Sequence, residues 1–123
     1  MSKRILLVED TIDLRASLRE LLAMEDYVVA ESANGEEAIV EMKKNIPHLI
    51  ITDILMPKMN GFDFIKVVRG NAKWKNVPIL VFSATPSREN EKKVLELGAI
   101  AYLQKPSTLD ALVNIVNKLI KNE

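Results

Sequence analysis

Short, nearly continuous apolar runs alternate along this chain with segments whose apolar residues recur every three or four positions. "RILLV" (4–8), "LIIT" (49–52) and "PILVFS" (78–83) are unbroken and rich in leucine or β-branched residues. Such runs fit strands covered on both faces, as in a parallel sheet. "YVVAES" (27–32) and "AIAYLQ" (99–104) are weaker, which predicts edge strands. Between the runs, Leu14, Leu18, Leu21 and Leu22 align on one helical face, and Ala38, Ile39 and Met42 on another. The last segment aligns Leu109, Leu112, Val113, Val116, Leu119 and Ile120, whereas Val94, Leu95 and Leu97 form only a thin stripe. Gly98 stands where a helix C-cap glycine precedes a strand. The pattern is a strand–helix unit repeated five times: an α/β, doubly wound parallel sheet in one domain over residues 1–123.

Composition narrows the possible functions. The 123 residues are 48% hydrophobic, and 17 basic side chains cancel 17 acidic ones. Charge therefore gives no reason to expect nucleic-acid binding or attraction to a membrane surface. There is no cysteine, which excludes disulfides, a thiolate nucleophile and cysteine-ligated metal. In the basic N-terminus only Ile5–Val8 is apolar, too short for a signal-peptide core or a membrane span. A cytoplasmic location is the expectation.

In doubly wound sheets, ligands bind beyond the carboxyl ends of the strands, where strand order reverses. The first strand ends "VED", Glu9 and Asp10; the third runs into Asp53; the fourth ends in Ser83; the fifth leads to Lys105. All these polar residues fall at the same end of the sheet. Three carboxylates brought together repel unless a cation or altered protonation relieves them. The one histidine, His48, lies at the far end of the third strand, so the donors are oxygens. Oxygen donors select a hard ion such as Mg²⁺, with Mn²⁺ as an acceptable substitute. Lysine supplies a compact positive charge and serine a hydroxyl donor. Such a set can transfer a phosphoryl group onto an aspartate oxygen.

The motifs "VED", "TDILMPKMNG", "FSA" and "LGAIAYLQKP" occur in an order and spacing that resemble the receiver domains of two-component response regulators, over essentially the whole chain. That resemblance implies a flavodoxin-like strand order 2-1-3-4-5. It implies that Asp53 accepts phosphate from a phosphohistidine on a histidine kinase or a histidine phosphotransfer protein. It further implies Mg²⁺ on Asp10, Asp53 and the backbone carbonyl of Leu55, with Glu9 assisting through water. Ser83 and Lys105 would contact the phosphoryl oxygens, and Tyr102 would be a rotameric switch. The output would be a downstream protein on the face made by the fourth helix, fifth strand and fifth helix. Such a domain catalyses only its own phosphorylation and dephosphorylation and is not an enzyme acting on a foreign substrate. Two residues depart mildly from the pattern: Glu9 stands where Asp is commoner, and Ser83 where Thr is about as usual. Leu55 and Thr85, each two positions past a site residue, should tune phosphoryl lifetime, and a cis Lys105–Pro106 bond would turn the lysine back toward Asp53.

Plainer readings exist for single residues. A strand-end aspartate is more often a turn residue than a nucleophile, and it is the company of Glu9, Asp10 and Lys105 that changes this. His48 reads as a solvated loop residue, Met56 and Met59 as packing for the loop after Asp53, and Trp74 as an apolar plug. Among rival classes, a phosphohydrolase of the haloacid dehalogenase type usually needs a second acid where Leu55 stands, and needs a cap. A receiver-like module that no longer takes phosphate would have lost the acidic pair or the lysine. A flavodoxin-like nucleotide binder fails because "EDTIDLR" has no glycines and carries the wrong charge for a pyrophosphate.

Overall fold

Every strand of the sheet carries its side chains into two different cores, and this explains the unbroken apolar runs. The computed structural model describes residues 2–83, 88–105 and 108–120. Strands β1 (Arg4–Val8), β2 (Val28–Ser32), β3 (Leu49–Thr52), β4 (Ile79–Ser83) and β5 (Ala101–Gln104) alternate with helices α1 (Ile12–Met24), α2 (Gly35–Lys44), α3 (Gly61–Gly70), α4 (Arg88–Leu97) and α5 (Leu109–Ile120). All pairings are parallel, in the order β2-β1-β3-β4-β5. This is the expected flavodoxin-like sheet, with β2 and β5 at its edges. Three strands start one or two residues later than their apolar runs, at Val28, Ile79 and Ala101.

Successive side chains of a strand point to opposite faces. Leu6 and Val8 therefore join Ala38 and Met42 of α2, Phe64, Ile65 and Val68 of α3, and Val94 of α4. Ile5 and Leu7 instead meet Leu18 and Leu22 of α1 and Leu112, Val116 and Ile120 of α5. Fully burying one such side chain is worth about 1.5–3 kcal/mol. The thin stripe of α4 is thinner than its sequence suggests: Val94 is buried and Leu97 partly so, but Leu95 is exposed.

Local chemistry sets the helix boundaries. Asn34 caps α2 by accepting from the Glu37 amide (3.0 Å), and the Glu37 carboxylate accepts from Ala33 N–H (3.3 Å). Asn60 caps α3 through the Asp63 amide (2.9 Å). Helix α4 ends at Gly98, whose φ of 112° suits glycine. There Gly98 N–H donates to Leu95 and Ala99 N–H to Val94, the paired bonds of a Schellman turn. Strand order reverses between β1 and β3, and Val8 pairs with Ser32 on one side and Thr52 on the other. The residues that follow Val8 and Thr52 therefore emerge side by side.

Candidate functional site

Those residues are Glu9 and Asp53, and the register alone brings them together. Glu9 N–H donates to the Ser32 carbonyl (3.0 Å) and Asp53 N–H to the Val8 carbonyl (3.2 Å), extending the parallel ladders by one step. On the other flank, Lys105 N–H donates to the Ser83 carbonyl (2.7 Å), continuing β5 past Gln104. From there the Lys105 Nζ reaches across to Glu9 Oε1 at 2.8 Å and Asp53 Oδ2 at 3.0 Å. Glu9 is 2% exposed and Asp53 8%. Asp53 thus ends a buried strand because a lysine from a distant strand answers its charge.

Backbone donors hold both carboxylates. Glu9 Oε2 accepts from Thr11 N–H (3.1 Å), and Asp53 Oδ1 accepts from Ile54 N–H (2.7 Å). Arg15 Nη1 donates to the Glu9 carbonyl (2.7 Å), tying α1 to this loop. The loop after Asp53 folds back so that Gly61 N–H donates to Ile54 O (2.7 Å). Met56 and Met59 pack this loop against the core, as expected. Asp10 is exposed, yet one carboxylate oxygen from each of Glu9, Asp10 and Asp53 lies within 4.8 Å of the others. Such an all-oxygen cluster at the mouth of the sheet fits a hard divalent cation.

The electrostatics follow from burial. Desolvation raises the Glu9 carboxyl above the usual range, against the lowering pull of Lys105 and the Thr11 amide. For Lys105, desolvation pulls downward, but the hydrogen bonds and charges of Glu9 and Asp53 outweigh it, and the net shift is upward. The ammonium therefore stays charged at neutral pH.

Ser83 is buried at the end of β4, and its side chain hydrogen-bonds with that of Tyr102, one strand away. Tyr102 is half-buried against the core that contains Val94 of α4. Burial, with lesser contributions from Glu91 and Asp53, raises its phenol above the ordinary value despite the Ser83 bond. Leu55 lies exposed on the loop beside Asp53. His48 sits at the opposite end of the sheet, exposed, its Nδ1 accepting from Arg4 N–H (2.9 Å). Thr85 and the Lys105–Pro106 peptide lie outside the described residues.

Some residues that shape the site, or fix the strands leading to it, carried no signal of that role in the sequence. Thr11 and Arg15 order Glu9 from the start of α1. Arg69, at the end of α3, donates to the carbonyls of Gly98 (2.7 Å), Lys75 (3.0 Å) and Val77 (2.8 Å), locking the entries to β4 and β5. Only the glycine after "PKMN" marked the tight return of the chain.

Comparison with known proteins agrees with this geometry. Residues 5–117 match the family described as response regulator receiver domain. The structure superposes on that of the chemotaxis response regulator CheY4 of Vibrio cholerae with a TM-score of 0.91 and 31% identity, covering 98% of this chain and 100% of that one. The transcriptional regulatory protein PrrA of Mycobacterium tuberculosis is 37% identical over 98% of this chain but only 51% of its own length. The sensor histidine kinase TmoS of Ectopseudomonas mendocina is 36% identical over 95% of this chain and 12% of its own. This chain thus spans about half the length of the first of those curated relatives and about an eighth of the second. It belongs to the receiver domain family of two-component response regulators, whose members are regulatory switches.

Proposed function

We propose that this receiver domain is an Mg²⁺-dependent phosphoacceptor switch in which Asp53 takes a phosphoryl group from a phosphohistidine. The observation that carries the reading is Lys105 Nζ, held between Glu9 and Asp53 at 2.8 and 3.0 Å beside a third carboxylate, Asp10. Glu9, Asp10 and Asp53, with the backbone carbonyl of Leu55, would hold Mg²⁺ or, in its place, Mn²⁺. When bound, the ion neutralises negative charge on the transferring phosphoryl oxygens.

The chain's own residues account for the rest. An Asp53 carboxylate oxygen attacks phosphorus, the O–P bond forms, the donor's N–P bond breaks, and the imidazole takes the electron pair. Lys105 changes partner from the Asp53 carboxylate to a phosphoryl oxygen, keeping an ionic bond throughout. Ser83 donates its hydroxyl to another phosphoryl oxygen, giving up its bond with Tyr102. Water later attacks phosphorus and returns Asp53 and inorganic phosphate, so the domain turns over no foreign substrate.

The donor is a histidine kinase or histidine phosphotransfer protein, a reading supported by the similar segment within a protein called a sensor histidine kinase. The receiving partner is a protein that reads the α4-β5-α5 face, with no direct contact to nucleic acid and no membrane insertion. No helix among the described residues is long and apolar enough to cross a membrane, and the cytoplasm is the proposed location. The test is labelling by acetyl phosphate, which should require Mg²⁺, vanish in Asp53→Asn and weaken strongly in Asp10→Asn. Full labelling of Asp53→Asn would overturn the assignment.

A further inference from the structure

At the end of the sheet opposite Asp53, α2 and α3 terminate beside each other and leave an open groove of about 720 Å³. Its apolar surface is chiefly the half-exposed Ile46, with the buried Met42 and Trp74 forming the floor beneath it. Lys43, Lys44 and Lys73 line it as well. Of these only Lys44 has a carboxylate within ion-pair distance among the described residues, Glu41 at 3.5 Å. A cationic excess here stands out in a chain whose charges cancel overall.

Gly70 gives an independent sign that the groove is kept open. It occupies the last turn of α3, where glycine weakens a helix relative to alanine. Its φ lies outside the left-handed region, and a β-carbon there would meet nothing within 4 Å. Neither backbone conformation nor packing requires a glycine, and a side chain at this position would project into the groove.

We propose that this groove docks an acidic, extended segment of a partner protein that carries an apolar side chain. The apolar residue sits on Ile46 beside the edge of Trp74, while flanking carboxylates meet the unpaired lysines. Charge complementarity selects an acidic occupant. The helix ends select a peptide over a compact anion. Both helices present their carbonyl ends here; these disfavour any anion, but a peptide offsets that cost by donating N–H groups to the carbonyls, which a lone phosphate cannot do. The site is independent of Asp53 and of the phosphoacceptor reading.

Trp74 is the sole tryptophan, so its fluorescence reports on the groove directly. The probe is a short synthetic peptide rich in Asp and Glu around two adjacent leucines, titrated into the unphosphorylated protein. A saturable change is expected, weakened by salt. Gly70→Leu should fill the groove and lower affinity about tenfold or more, the effect of losing 1.4 kcal/mol of binding. Lys43→Glu combined with Lys73→Glu should do the same, and Asp53→Asn should bind as the wild type does. Absence of saturation would overturn the proposal. So would undiminished binding by both groove variants, a dependence on Asp53, or binding of tripolyphosphate as tight as that of the peptide.

Discussion

Gly61 lies so close to Asp53 that a β-carbon on it would come within 2.3 Å of the Asp53 carbonyl oxygen and 2.8 Å of Ile54 Cα. Both obstacles are backbone, so no side chain can swing aside. Gly61→Ala must therefore push the Asp53–Ile54 segment away from α3 or displace the helix. Overpacking of this kind costs about 1–3 kcal/mol. The expected outcome is a loss of that order in urea denaturation together with slower labelling by acetyl phosphate. A variant with unchanged stability and labelling rate would show that the close approach constrains nothing.

The bridge of Lys105 to Glu9 and Asp53 gives a pH-dependent prediction. Removing one member of a buried ionic cluster costs about 3–5 kcal/mol, an upper figure here because the Glu9 carboxylate can still take up a proton. In the wild type the pKa of Lys105 is raised. Its contribution to stability is thus complete below the ordinary lysine value and is lost as pH rises through the higher folded value. Glu9 is also raised, by burial, so near and above the ordinary carboxylate range its effect on stability becomes less favourable as pH rises. In Lys105→Met the lowering pull on Glu9 is gone, and its carboxyl rises further. Measured without divalent cations, the variant's deficit against wild type should be large at about pH 7 and shrink toward about pH 5. A deficit that does not change with pH would contradict the bridge.

Ser32 offers a stabilising prediction. It is 2% exposed, and its hydroxyl has no hydrogen-bond partner among the described residues. An unsatisfied buried hydroxyl costs about 1–3 kcal/mol. Ser32→Ala removes that cost with little change in volume, and its backbone carbonyl still accepts from Glu9 N–H. Stability should rise by about 1 kcal/mol, seen as a higher midpoint in denaturant. A clear loss of stability would mean that the hydroxyl is satisfied in solution.

The groups behind these predictions differ in how legible they were. The buried strands announced themselves because β1, β3 and β4 need apolar residues on both faces. The cluster of Glu9, Asp10, Asp53 and Lys105 was legible once parallel topology sent all the strand ends to one side. What could not be read is the chemistry that depends on distance in space. The three carbonyls that Arg69 holds come from two separate turns, and no local pattern distinguishes that arginine from a solvated one. The network in which Tyr27 donates to Asn117 and Asn117 Nδ2 donates to Glu25 (2.9 Å) likewise joins α5 to the end of α1. Ser32 looked like an ordinary strand end, since only the structure shows what its hydroxyl lacks.

The contact between Ser83 and Tyr102 carries the last prediction. Their side chains are hydrogen-bonded before any phosphoryl group arrives, and Tyr102 already packs toward the core that holds Val94. A phosphoryl group on Asp53 adds about −1.5 to −2 charges and competes for the Ser83 hydroxyl. Tyr102 then loses a partner, and α4, anchored by one fully buried side chain, is the element free to respond. Moving a two-state equilibrium from 1:99 to 99:1 needs about 5.5 kcal/mol, whereas one hydrogen bond to a charged group supplies about 1.5–3. On the proposed function, Ser83 would act together with Lys105 and backbone donors, and removing it should weaken the response without erasing it. Ser83→Ala should still be labelled at Asp53, while the NMR shift changes around Tyr102 and residues 88–97 shrink on phosphorylation. Identical shift changes in wild type and variant would rule out this route from the site to the α4-β5-α5 face.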